Sequence, residues 1–90
     1  MGVMVFYRPQ SEQARHVEDF LHDFKRRTAY DIERVNPDTP EGASLSRLYD
    51  IVEYPTIVAT AQDGQIRNMW RGAVLPTIDE VSYYVERHFS

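Results

Sequence analysis

The sequence predicts an α/β domain in which a mixed four-stranded sheet is flanked by helices. Apolar residues recur with strand-like and helix-like spacing in the order β-α-β-α-β-β-α. Helical connections between the first three strands favour some parallel pairing, whereas a tight turn makes the last two strands antiparallel. The length of 90 residues suffices for one domain, spanning residues 1–90, and no more.

The first strand and helix are predicted from an uncharged apolar run and an amphipathic stripe. The run from Val3 to Phe6 carries no charge on either face, which is typical of a buried central strand. Arg8-Pro9 ends this run, and a helix is predicted from Ser11, as its N-cap, to about Arg27. The apolar stripe of this helix consists of Ala14, Val17, Phe20, Leu21 and Phe24.

A second strand and a short helix follow. The strand is predicted from Tyr30 to Val35, before a segment that contains two prolines. Thr39 and Pro40 are well placed as the N-cap and first residue of a helix that runs to about Asp50. This helix is expected to bury Leu45, Leu48 and Tyr49.

The C-terminal third predicts a hairpin and a last helix. Pro55 to Ala61 is a third strand, and Asp63-Gly64 is a two-residue hairpin turn that returns the chain as Ile66 to Arg71. Thr77 and Glu80 have the spacing of a capping box at the start of a helix. The apolar face of that helix consists of Ile78, Val81, Val85 and Phe89.

Composition excludes several classes of function. The chain has no cysteine, which excludes disulfides, thiolate metal sites and thiol chemistry by this chain alone. The formal net charge of −4 has the wrong sign for a general binder of nucleic acid or anionic membranes. Apolar runs fall far short of the roughly 20 residues of a membrane span, and no signal peptide is recognisable. We therefore expect a cytoplasmic protein.

Several segments resemble the thioredoxin and glutaredoxin superfamily. The segment from Leu48 to Thr56 is similar to the one that ends in the cis-proline of that superfamily, which assigns this role to Pro55. Asp63-Gly64 and Gly72 fall where the superfamily has its hairpin turn and a glycine after the last strand. The loop from Tyr7 to Ala14 resembles the one that carries Cys-x-x-Cys. The resemblance covers nearly the whole chain and implies a thioredoxin-like fold with a cis bond before Pro55.

The chain departs from this superfamily at the residues that carry its chemistry. Ser11-Glu12-Gln13-Ala14 stands where the superfamily has Cys-x-x-Cys. A serine forms no disulfide, and its hydroxyl is barely ionised at neutral pH without a base. The first strand also lacks the buried acid that thioredoxins use to manage the thiol proton. Disulfide exchange by this chain is therefore excluded.

The leading functional hypothesis is a redox-inactive binding or adaptor module, without a cofactor or catalytic residue, that uses the inherited cis-proline face. Thioredoxin relatives bind extended peptide there, so the backbone of Tyr54 is expected to pair with a partner protein or peptide. Trp70 is a candidate anchor, and Arg8 and Arg71 are candidate contacts to an acidic group. The alternative is that Tyr54 and Trp70 cover the core. The complete set of candidate partner-binding residues is Arg8, Pro9, Ser11, Tyr54, Pro55, Trp70, Arg71 and Gly72.

Three alternatives stay open. Ser11 is either a plain helix N-cap or a hydroxyl facing the thiol of a bound ligand, as in a glutathione-binding transferase-like enzyme. The edge strand from Ile66 to Arg71 is a candidate for pairing between two copies of the chain. His16, Asp19 and Asp23 share one helix face and could ligate a metal, but the pattern favours a solvated polar face.

Overall fold

The computed structural model describes residues 2–86, which form a four-stranded sheet with helices packed on both faces. The elements follow the predicted order. They are β1 (Gly2–Phe6), α1 (Ala14–Thr28), β2 (Glu33–Val35), α2 (Pro40–Leu48), β3 (Thr56–Thr60), β4 (Ile66–Arg71) and α3 (Ile78–Glu86). Phe89, predicted on the apolar face of the last helix, lies outside the described residues.

The sheet is mixed, as the connections predict. Its strand order is β2-β1-β3-β4, with β1 parallel to β2 and antiparallel to β3, and with β3 antiparallel to β4. The uncharged run of β1 is therefore central, and β4 is an edge strand. The predicted pairing of β4 with a second copy of the chain stays a prediction.

Two layers of apolar side chains hold the helices on the sheet. One layer joins α1 and α3 to the sheet and contains Val5 and Ile57, which are fully buried. The other layer lies on the α2 side and contains Phe6 and Val58, also fully buried. Alternation of side chains along β1 and β3 produces this division, because successive strand residues point to opposite faces.

The prediction that Ser11 caps α1 is wrong. The helix begins at Ala14, and Gln13 occupies the N-cap position without a side-chain cap bond. Ser11 instead closes a turn, in which its backbone N–H and its hydroxyl donate to the Arg8 carbonyl at 3.0 and 2.7 Å. Pro9 stands at the second position of this turn, where its fixed φ is favourable, so the chain turns once before the helix begins.

Strand β2 is shorter than predicted because the chain is still leaving α1 at Tyr30. Ala29 adopts a left-handed conformation with φ of 63°, which ends the helix. The Tyr30 N–H then donates to the Thr28 hydroxyl at 3.1 Å. The Tyr30 hydroxyl accepts from the Val3 N–H at 3.1 Å, so this side chain contacts β1 while its backbone stays outside the sheet.

Helix α2 begins as predicted, and its predicted apolar face is buried in part, because Leu45 and Tyr49 are half-buried against the layer that contains Phe6 and Val58. The Thr39 hydroxyl accepts from the Gly42 N–H at 3.0 Å, which confirms the predicted cap, and the helix ends at Leu48 rather than Asp50. Gly42 and Ser46 are buried, whereas Leu48 is 71% exposed. Successive helical residues turn by about 100°, so Leu48 points well away from the buried side. Its predicted burial is therefore wrong.

The turn between β3 and β4 has three residues instead of two. The Gly64 N–H donates to the Ala61 carbonyl at 3.0 Å, and the Ala61 N–H donates to the Gln65 carbonyl at 2.8 Å. Gly64 has a φ of 86°, which completes a turn of the type that adds one left-handed residue to a hairpin. The predicted hairpin is thus confirmed, with its loop one residue longer.

The predicted capping box of α3 is confirmed. The Glu80 N–H donates to the Thr77 hydroxyl at 3.1 Å, and the Thr77 N–H donates to the Glu80 carboxylate at 3.4 Å. Val81 and Val85 are buried against the sheet, as their spacing predicts. Among residues 2–86, no helix combines the length and apolar character needed to cross a membrane.

Candidate functional site

The segment before β3 carries the cis bond that the resemblance implies. The peptide bond between Tyr54 and Pro55 is cis, and Pro55 is fully buried. The Gly72 N–H donates to the Pro55 carbonyl at 2.8 Å, which holds the end of β4 against this segment. Gly72 has a φ of 95°, and a Cβ here would lie 3.0 Å from the Glu53 carboxylate. Glycine therefore suits this position for both conformation and space.

The backbone of Tyr54 has unused hydrogen-bonding groups. Neither its N–H nor its carbonyl makes a hydrogen bond to any of the residues 2–86, because the ladder between β3 and β4 starts at the next residues. The side chain is half-buried and packs on the α2 side of the sheet. Its hydroxyl donates to the Ile51 carbonyl at 3.4 Å. This segment thus presents one donor and one acceptor beside a fixed ring.

Arg8 connects the β1–α1 turn to Tyr54. Its guanidinium carbon lies 4.8 Å from the centre of the Tyr54 ring, in the geometry of a cation–π contact. Its Nε also lies 3.1 Å from both carboxylate oxygens of Asp38. Asp38 belongs to this site although the sequence does not indicate it, because it lies 30 residues from Arg8 with no motif linking the two.

Trp70 and Arg71 occupy the end of β4 in different ways. Trp70 pairs with Ile57 and packs against the α1 and α3 layer, on the opposite face of the sheet from Tyr54. Its ring meets Tyr84 edge-on at 5.6 Å. Arg71 is exposed opposite Thr56, and no ion pair joins it to residues 2–86. Contacts or peptide bonds therefore link five of the predicted residues into one site: Arg8, Ser11, Tyr54, Pro55 and Gly72. Trp70 lies on the other face of the sheet.

Tyr7 lies between the end of β1 and Arg8. It is buried, and its hydroxyl donates to the Glu18 carboxylate at 3.0 Å. Burial raises the pKa of Tyr7, and the hydrogen bond to Glu18 raises it further, while the cation of Arg34 opposes the rise. Tyr7 therefore stays neutral at physiological pH and ties the end of β1 to α1.

A shallow groove adjoins Tyr54 on the α2 side. Its volume is about 330 Å³, and its lining includes buried Pro37, Ser46 and Ile51 together with Tyr54. Val52 lies at its border with 83% of its surface exposed. The cis-proline segment therefore faces a concave surface with apolar groups within reach.

Comparison with known proteins rests on structure. Neither a protein-family model nor a curated protein sequence matches the chain. Thioredoxin 1 from Thermosipho africanus is 16% identical, with a TM-score of 0.69 over 99% of this chain and 94% of that chain. Mitochondrial thioredoxin 3 from Saccharomyces cerevisiae is 19% identical, with a TM-score of 0.63 over 94% and 76%. Thioredoxin O2 from Arabidopsis thaliana is 12% identical, with a TM-score of 0.67 over 99% and 75%. The chain has a thioredoxin-like fold.

Within this thioredoxin-like fold, the loop from Tyr7 to Ala14 carries no thiol. Ser11 lies in this loop, and its hydroxyl donates to the Arg8 carbonyl. Because Ser11 precedes α1 by a turn, it does not sit at the helix N-terminus, where an anion would be stabilised. Pro9 is exposed beside it.

Histidine and acidic side chains do not assemble a metal site in the part of the chain that the structure describes. No group of three or more such residues is arranged to hold an ion. Asp23 is instead paired with Arg26 Nη2 at 2.9 Å on the surface of α1. The candidate site of this thioredoxin-like fold is therefore the one around Tyr54, formed with Arg8, Pro55 and Gly72.

Proposed function

We propose that this chain is a redox-inactive, cytoplasmic binding module that pairs extended segments of partner proteins with the backbone of Tyr54. The observation that carries the proposal is the unpaired N–H and carbonyl of Tyr54, directly before cis Pro55. A partner strand supplies one acceptor and one donor to these groups, as in other cases where an extended peptide is recognised through main-chain hydrogen bonds.

The side chains around Tyr54 support selectivity for such a segment. Arg8 already neutralises Asp38, so the stacked Arg8–Tyr54 pair offers a flat apolar contact more than a free charge. Arg71 has no ion-pair partner within residues 2–86 and remains available to an acidic group of the partner. Gly72, whose N–H donates to the Pro55 carbonyl, adds no side chain beside the cis-proline segment.

The absence of cysteine supports the redox-inactive part of the proposal. Without a thiol, the chain has no nucleophile that attacks a disulfide and no pair that is oxidised in return. The alternative, a glutathione-binding enzyme that uses Ser11, stays a prediction. In that case the Ser11 hydroxyl must first give up its 2.7 Å bond to the Arg8 carbonyl.

A peptide-display selection on the immobilised domain tests the proposal. Peptides that it recovers are synthesised, and their dissociation constants are measured by calorimetry for the native chain and for Tyr54→Ala. Loss of the ring exposes and loosens the segment, so we expect binding to weaken by about 1–3 kcal/mol. Circular dichroism melting establishes that the variant remains folded.

Ile66→Ala is the matched control because it also shortens a partly exposed apolar side chain, at the far end of β4 from Gly72. Its binding should equal that of the native chain. Equal binding by folded Tyr54→Ala and by Ile66→Ala, with peptides contacting another surface, would place the function away from the cis-proline face.

A further inference from the structure

A second groove lies between α1 and the loop from β4 to α3. Its floor is formed by the outer surfaces of Phe20, Leu75 and Pro76, all half-buried. Phe20 and Leu75 pack against the buried layer below, and Phe20 also stacks on Phe24 with ring centres 6.0 Å apart. The groove volume is about 270 Å³. This is below the range of sites for drug-sized ligands, which begins at roughly 300 Å³, and suits a single long side chain.

The rim of this groove is acidic. Asp19 and Asp23 lie one helical turn apart along it, with His16 at the N-terminal end of the same face. Asp23 is partly neutralised by Arg26, whereas the Asp19 carboxylate makes no ion pair or hydrogen bond within residues 2–86. Like charges four residues apart destabilise a helix by a few tenths of a kcal/mol. No lysine or arginine lines the groove to relieve this repulsion.

We propose that this groove binds the side chain of an arginine in a partner protein. The apolar floor accommodates the methylene stem, and Phe20 offers an aromatic surface to the guanidinium plane. The forked donors of arginine reach two carboxylates at once, which a lysine ammonium does less well. Charge complementarity thus selects the occupant, since the rim is negative and the floor is apolar. The proposal does not depend on the cis-proline face, because none of the groove residues belongs to it.

Two pentapeptides test the proposal, acetyl-Ala-Ala-Arg-Ala-Ala-amide and its citrulline analogue, which keeps the shape and removes the charge. Each is titrated into the ¹⁵N-labelled chain, and amide shifts give both the site and the dissociation constant. The arginine peptide should shift residues 16–23 and 75 and bind about tenfold tighter than the citrulline peptide. The double variant Asp19→Asn, Asp23→Asn should bind the arginine peptide about tenfold more weakly than the native chain does.

Glu41→Gln is the control because it removes an exposed acid from the first turn of α2. Its affinity for the arginine peptide should match that of the native chain. Equal affinity for the two peptides, equal loss in Glu41→Gln and the double variant, or shifts confined to residues 52–56 and 71–72 would each overturn the groove assignment. The last of these results would leave the proposed function at Tyr54 intact, so the two proposals fail separately.

Discussion

The single tryptophan of the chain, Trp70, takes part in packing as well as lying on an edge strand. Its ring is half-buried against the α1 and α3 layer and meets Tyr84 edge-on at 5.6 Å. Removing a fully buried aromatic ring costs about 3–5 kcal/mol, so Trp70→Ala should lower the free energy of unfolding by about 2–3 kcal/mol. Urea unfolding followed by circular dichroism measures this loss. The Trp70→Phe variant should retain most of the stability.

A Trp70→Ala variant as stable as the native chain, with weakened peptide binding, would instead make this ring a partner contact. The sequence left both roles open, because an aromatic residue on an edge strand is compatible with either. Packing against Tyr84 involves a residue 14 positions later on another element, and no local pattern predicts it.

Ionisation of Tyr7 should lower the free energy of unfolding at alkaline pH. Burial and the Glu18 hydrogen bond raise the pKa of Tyr7 above its ordinary 10.0, so the unfolded chain loses this proton first. The stabilisation that Tyr7 contributes to the folded chain is therefore fully present below about pH 10. It declines as the pH rises through and above that value. Urea unfolding between pH 8 and 11 checks this. The advantage of the native chain over Tyr7→Phe should shrink over the alkaline part of this range, and a constant difference would contradict the assignment.

At the scale of elements, the start of α2 depends on one glycine. A Cβ on Gly42 would lie 1.8 Å from the carbonyl oxygen of Asn36, which also accepts the Thr39 N–H and hydroxyl. Alanine normally gains about 1 kcal/mol over glycine inside a helix. Here the clash with the Asn36 carbonyl should outweigh this gain, and Gly42→Ala should lower the free energy of unfolding by about 1–3 kcal/mol. Chemical unfolding compares it with Ser44→Ala, an exposed position in the same helix.

A Gly42→Ala chain that is more stable than the native one would show that the cap segment from Asn36 to Thr39 moves aside easily. The Ser44→Ala control should change stability by only a few tenths of a kcal/mol. The comparison separates helix propensity from the close approach of two backbone segments.

Element types were predictable because the caps and periodicities are local. Thr39 and the pair Thr77–Glu80 make the hydrogen bonds that their spacing predicts. Ser11 does not cap the helix because Pro9 places it in a turn first, so the helix starts at Ala14, two residues later than a Ser11 cap would place it. The depth of α2 burial could not be predicted, since it depends on which helical face meets the sheet.

The candidate site was predictable only in part. Pro55 and Gly72 are recognisable because fold-specific backbone geometry restricts the residue type at both positions. Asp38 was missed because its contact with Arg8 spans 30 residues and carries no motif. The placement of Trp70 behind the sheet follows from strand register, which a one-residue slip would reverse.

At the level of the whole molecule, the chain has a thioredoxin-like fold but no cysteine. We therefore expect that it does not accelerate the reduction of insulin by dithiothreitol. The assay follows turbidity, with an active thioredoxin as the positive control. Turnover that survives repurification and disappears on unfolding would contradict the redox-inactive assignment.

The binding proposal is tested most directly by hydrogen exchange at one amide. The Tyr54 N–H has no partner within residues 2–86 and should exchange quickly in the free chain. In complex with a peptide recovered by display, this amide should become protected by at least about tenfold, because a partner carbonyl accepts its hydrogen bond. Unchanged exchange at Tyr54, with the peptide fully bound and protection appearing on another surface, would contradict the account.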